Sequence, residues 1–238
     1  MTADDLQKPS GSAAWDVSAV LAHLGSGAEI GVPRLDAALA GTDPPGNERN
    51  QPIWDRWNAL TPEKTVSEFR AWDERFIAAY EALDEATVAS LEIQFWFMPR
   101  PVDVATAIGF RLSEHALHSW DVRVAFRPDA TVPDYASELL IDRVPPMAGF
   151  VGQPGRWRAD PLTLAVVTTE PARRFWLEVG DEVRLGTEAR PTGGTLELPA
   201  EALLRLIASR LASQRTPPGV TIDEPATLDD VRAVFPGY

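Results

Sequence analysis

The 238-residue chain is long enough for two modest domains or one large one, and 22 basic against 35 acidic residues give it a formal charge of −13. That balance argues against nucleic-acid binding, which needs Lys and Arg to neutralise phosphates, and no basic amphipathic run suggests a membrane surface. The chain has no cysteine, which excludes disulfides, thiolate metal ligands and a thiol nucleophile of its own, so any thiol chemistry must use a small-molecule thiol. Neither the basic and apolar regions of a signal peptide nor a run of about 18 apolar residues occurs, and a cytoplasmic protein is expected.

Met1 to Ala14 is short and polar, broken by Pro9 and Gly11, with room only for the tail of a helix. Asp16 is a suitable N-cap for a helix running toward Ala40. His23 falls within it, in Trp15-Asp-Val-Ser-Ala-Val-Leu-Ala-His-Leu24, with Val20 and Leu24 beside it on the apolar side. Gly25, Gly27 and Gly31 follow, each costing about 1 kcal/mol against Ala in a helix. They signal close helix packing or room for a ligand. Gly41 to Asn47 is a loop, and Pro52 to Leu60, with Trp54 and Trp57, is a short helix whose Trp residues serve as core or lid. Thr65-Val-Ser-Glu68 reads as a capping box opening a second long helix, whose stripe is Phe69, Trp72, Phe76, Ala79, Tyr80 and Leu83.

The aromatic segment Gln94 to Pro101 precedes Val102 to Phe126, a proline-free stretch with helical patterning. Arg127 to Pro133 is rich in breakers, Tyr135 to Val144 is helical until Pro145-Pro146, and Gly149 to Gly155 reads as a linker. Beyond Asp160 the period changes. Leu162 to Thr169, Arg174 to Val179, Glu182 to Leu185 and Thr195 to Leu198 read as strands. Pro199 suits the first position of a helix that continues to Ser213 and carries Arg205 and Arg210. Thr227 and Asp230 start a last helical turn. The predicted class is α+β, with residues 1–128 a helical domain, 129–160 a helical connector and linker, and 161–238 a small α+β domain.

Chemistry concentrates in Arg111-Leu-Ser-Glu-His-Ala-Leu-His-Ser-Trp-Asp121. On a helix Glu114 and His118 stack one turn apart, and Arg111 and Asp121 extend the stripe a turn in each direction. If this helix packs on that of His23, the three form a His₂Glu set, the ligand composition of hydrolytic zinc enzymes. An exposed Glu–His pair worth a few tenths of a kcal/mol remains an equal alternative on spacing alone. His115, one residue on, points about 100° away. The guanidinium fork of Arg111 is a candidate clamp for a substrate carboxylate. Asp121 either orients a ligand or a bound water, or is a surface carboxylate.

The Trp15–Leu24 segment resembles the opening of the mycothiol-dependent maleylpyruvate isomerase family, a branch of the DinB-like helix bundles. Arg111, Glu114, His118 and Asp121 are similar in spacing to that family's second signature, and Ala233-Val-Phe-Pro-Gly-Tyr238 to its C-termini. The resemblance implies a DinB-like four-helix bundle, with its first helix shortened or missing here, followed by a small α/β domain. It further implies a divalent metal, usually zinc, on His23, Glu114 and His118, and mycothiol as cosubstrate for isomerisation of, or transfer to, an electrophilic small molecule. Arg210 falls where relatives carry Gly-Arg, with Ser209 replacing the glycine; the resemblance makes it the arginine for an anionic substrate, and an exposed arginine paired with acids is the alternative. A thiol-independent zinc hydrolase and a non-catalytic metal-binding module are the competing functional classes.

Overall fold

The computed structural model describes residues 1–158 and 160–237; Ala159 and Tyr238, the last residue of the closing motif, lie outside the described residues. The polar N-terminus supports one short helix, α1 (Ala3–Leu6), which Thr2 and Asp5 cap reciprocally. Asp16 accepts the Ala19 amide at 2.7 Å and opens α2 (Val17–Ala40), which ends on Gly41 with φ of 64°. That left-handed turn is one glycine enters without a Cβ penalty. After a 3₁₀ turn at Asn47–Arg49 come α3 (Asn50–Asn58) and α4 (Pro62–Glu81). The cap of α4 is Thr61 rather than the expected Thr65. Pro62 presets the first turn, and Thr65 is buried inside the helix, donating to the Thr61 carbonyl.

Helix α5 (Glu85–Ser90) leads into β1 (Glu92–Ile93), which pairs antiparallel with β2 (Val102–Asp103). The two-residue pair was not foreseen; it closes the aromatic segment 94–101 into a hairpin loop. Asp103 then accepts the Thr106 amide at 2.7 Å and opens α6 (Val104–Val124).

Met1–Phe126 forms one compact unit. In it α2 packs on α3, α4 and α6, and its glycines allow the approach. A Cβ at Gly25 would stand 2.1 Å from the Trp57 ring, and one at Gly31 2.7 Å from that of Phe76. Close packing, not ligand room, explains both. Trp57 is core, while Trp54 is exposed. One apolar cluster gathers Leu35, Ile93, Phe95, Val104 and Ala107, and another Leu6, Val17 and Leu21.

Arg127–Tyr238 is the second unit. It begins with α7 (Asp134–Leu140) and α8 (Val144–Val151). Pro145 and Pro146 were expected to end a helix; instead they occupy the first turn of α8, where a missing amide costs nothing. Part of the expected linker, Gly149 to Val151, is also helical, and α8 packs on the sheet so closely that a Cβ at Gly152 would meet Val183 at 2.6 Å. The strands are β3 (Leu162–Thr169), β4 (Arg173–Val179), β5 (Val183–Gly186), β6 (Gly194–Pro199) and the unforeseen β7 (Thr221–Ile222), in the order β5-β4-β3-β6-β7. Only β3–β6 is parallel. Between β6 and β7 lies α9 (Ala200–Ile207), buried throughout; α10 (Leu228–Val234) closes the unit under a Thr227–Asp230 capping box. Pro199 is the N-cap of α9 rather than its first residue, and the helix ends six residues before the expected Ser213.

Candidate metal centre

His23 stands on α2, and Glu114 and His118 one turn apart on α6. Because the two helices pack together, their ligand atoms converge, all within 4.8 Å of one another. Glu114 Oε2 lies 2.7 Å from His23 Nε2 and 3.6 Å from His118 Nε2. The imidazole centroids are 4.6 Å apart with planes inclined at 61°. The Glu114 side chain keeps 49% of its accessible surface and that of His118 only 9%. The cluster is thus walled on the His118 side and open to solvent at Glu114. Desolvation works to raise the Glu114 pKa, but the two imidazoles beside it, His118 and then His23, outweigh it and hold the carboxyl below its usual range. It is an anion facing two imidazoles.

Asp121 is fully buried, and its Oδ2 lies 2.8 Å from His118 Nδ1. A carboxylate can only accept, so Nδ1 carries the proton at this contact, the arrangement in which Nε2 can offer its lone pair to an ion. A carboxylate behind a ligating histidine fixes tautomer and ring orientation in this way. The Asp121 main chain is held in turn: its carbonyl accepts the Gly11 amide at 2.8 Å, and a Cβ on Gly11 would stand 2.7 Å from Trp120 and 2.8 Å from Asp121 Oδ1. The segment before α2 doubles back through a Pro9–Asp16 bridge and sets Trp15 against both histidines, 5.0 Å from His23 and 5.8 Å from His118 between ring centroids.

Two imidazoles and a carboxylate, one imidazole already oriented by a buried acid, suit a borderline-soft divalent ion such as zinc. The structure therefore brings together His23, Glu114, His118 and Asp121. Arg111 turns elsewhere. Its Nη1 donates to the Leu24 carbonyl at 3.0 Å and its Nη2 to Asp73 Oδ1 at 2.9 Å, over the Phe76 ring. Both terminal nitrogens are engaged by protein acceptors, which directs the guanidinium toward α2 and α4. His115 points away from the cluster and pairs with the same Asp73 oxygen at 3.1 Å.

Arg210 belongs to the second unit and lies beyond the end of α9, not on it as expected. Ser209 before it has φ of 61°, the conformation for which the glycine of the Gly-Arg pattern is suited. Its Nη1 donates to the Ala208 carbonyl at 2.8 Å. Sequence reasoning passed over Trp15 and Asp73. Trp15 was visible as the head of the first motif, but nothing in its spacing predicts a chain reversal that lays it on the histidines. Asp73 was one acid among many on α4.

No curated protein matches the chain in sequence. Residues 1–123 match the family described as "Mycothiol maleylpyruvate isomerase N-terminal domain". In structure the chain is similar to one described as "Crystal structure of the mycothiol-dependent maleylpyruvate isomerase", with 17% identity and a TM-score of 0.65 over 95% of this chain and 85% of that one. A histidine-to-alanine mutant of that isomerase gives 16% identity and the same score and coverage. At such identity the likeness is one of fold.

Proposed function

The chain belongs to the mycothiol maleylpyruvate isomerase N-terminal domain family, and on that footing we propose that it is a metal-dependent enzyme acting with mycothiol on an electrophilic small molecule. The observation that carries this reading is the convergence of His23, Glu114 and His118 ligand atoms within 4.8 Å. His23 Nε2, a Glu114 oxygen and His118 Nε2 would hold the ion, which we take to be zinc. A zinc ion there supplies Lewis acidity, which lowers the pKa of a thiol or water bound to it.

The protein's own groups do the rest. Asp121 holds the His118 proton on Nδ1 and keeps the ring aimed. Trp15 covers both imidazoles and restricts water on their flank. The ionised Glu114 brings one negative charge, which offsets half that of a divalent cation. Since the chain has no cysteine, the nucleophilic sulfur comes from the cosubstrate. An activated thiolate can add to a conjugated double bond, allow rotation and leave again, which is cis–trans isomerisation; with a leaving group present the same attack forms a conjugate. For an anionic substrate group the family resemblance makes Arg210 the candidate.

The test is direct. Purified protein is analysed for metal, titrated with mycothiol by calorimetry with and without the ion, and assayed on maleylpyruvate. Near-stoichiometric metal, metal-dependent heat and thiol-dependent turnover are expected, with Arg210→Ala raising KM for the anionic substrate while metal content stays. Full turnover without any thiol would replace this reading with a metal-activated water and a hydrolase.

A further inference from the structure

Arg111 ties α6, which carries Glu114 and His118, to α2, which carries His23, and to α4. It sits on α6 one turn before Glu114. Its Nη1 reaches across to α2 at the carbonyl of Leu24, the residue next to His23, at 3.0 Å. Its Nη2 reaches α4 at Asp73 Oδ1, at 2.9 Å. The same Asp73 oxygen takes His115 Nε2 at 3.1 Å, one residue beyond Glu114. The turn of α6 that presents Glu114 is thus held on both flanks by one carboxylate. Room for the guanidinium is built into α2 as well: a Cβ on Gly27 would stand 3.2 Å from Nη1.

We propose that Asp73 is a positioning residue for the metal centre: through Arg111 it sets the spacing and rotation of α2 and α6, the helices that carry the ligands. The proposal rests on the metal reading above. A planar guanidinium fixes the angle between its two acceptors, which a flexible ammonium cannot do. The fork therefore transmits the position of α4 to the backbone beside His23 and to the turn before Glu114. Binding sites tolerate misplacement of only about 0.5 Å, so slack in this brace reaches the ion before it reaches the fold. The side chains of Arg111 and Asp73 keep only 13% and 21% of their accessible surface. The brace is largely shielded from water and its geometry is held.

The experiment is a cobalt(II) titration of the metal-free full chain, read by visible absorption, for wild type, Asp73→Asn, Arg111→Lys and Gly27→Ala. Asp73→Asn is expected to weaken cobalt binding about tenfold or more and to alter the absorption of bound cobalt, while its circular dichroism remains that of the folded wild type. Arg111→Lys gives the same pair of changes, because one ammonium cannot hold both acceptors. Gly27→Ala alters the absorption without removing a charge. The Asp73→Asn/Arg111→Lys double variant is no weaker than the worse single one. Folded Asp73→Asn with wild-type affinity and absorption overturns the brace. Should that variant not fold, Arg111→Lys is judged by the same two readouts. Wild type that binds no cobalt overturns the metal reading and the brace with it, whereas wild type that binds it beside unaltered variants overturns the brace alone.

Discussion

At the scale of single residues, the centre divides into groups that would touch an ion and groups that aim them. His23, Glu114 and His118 offer the ligand atoms, so replacing any one with Ala is expected to strip the metal, measured by elemental analysis of dialysed protein. His115 is one residue from Glu114 but faces Asp73; His115→Ala should retain the ion. Asp121 is the aiming group. Asn there can present its amide NH₂ to Nδ1 and so favour the wrong tautomer, with the proton moved onto Nε2. Asp121→Asn is expected to lower metal affinity 10–100-fold, read by competition with a chromophoric chelator; unchanged affinity would show that the 2.8 Å contact does not set the tautomer.

At the scale of elements, α2 and α6 are where sequence and structure agree most, for a physical reason. Both are long, both carry a side-chain cap at Asp16 or Asp103, and their ligand residues obey helical spacing. What spacing could not supply was partners from distant segments. Asp73 lies on α4 and Trp15 in a chain reversal, and neither contact is encoded within one helical turn. Boundaries failed where proline had two readings. Pro145 and Pro146 start α8, and Pro62 starts α4 ahead of the expected Thr65. Strand β7 failed because two residues give no alternation to read. The glycines of α2 were legible as packing devices, and they carry a test. Gly25→Ala would drive a methyl into the Trp57 ring, and overpacking of this kind costs about 1–3 kcal/mol. Denaturant unfolding followed by Trp fluorescence should show that loss, and Gly155→Ala, which meets nothing within 4 Å, should not. In the second unit the buried pair on α9 is the sensitive point. Glu201 takes Arg205 through both oxygens at 2.6 and 2.7 Å and also accepts the Val132 amide. Arg205→Ala leaves that acid buried without its cation, a change expected to cost about 3–5 kcal/mol.

At the scale of the whole molecule, two electrostatic effects oppose each other as pH changes. The chain carries −13 at neutrality with a pI near 4.7, and this self-repulsion destabilises the compact state. Acidification toward the pI relieves it. Against this stand carboxyls held below their ordinary range by the fold. Asp73 is opposed by burial but lowered by His115 and Arg111; Asp84 and Asp230 are lowered by hydrogen bonds at their helix starts; Asp5 is drawn down to about 2 by Lys8 and Thr2. A carboxyl with a depressed folded-state pKa adds stability that is complete above its unfolded value, about 3.9 for Asp, and is lost as pH falls through the folded value. For Asp5 that window runs from 3.8 down to about 2. Repulsion is therefore relieved first, and the specific contacts fail only afterwards. Stability of the metal-stripped protein should rise from pH 8 to a maximum near pH 5 and fall steeply below about pH 4. Salt distinguishes the two limbs. At about 0.5 M the Debye length drops to a few ångströms, so the rise from pH 8 should flatten while the fall, which reflects short contacts, stays. Urea midpoints measured across this range at low and high salt test both limbs. A midpoint that climbs steadily to pH 3 would show that repulsion alone governs the acid response.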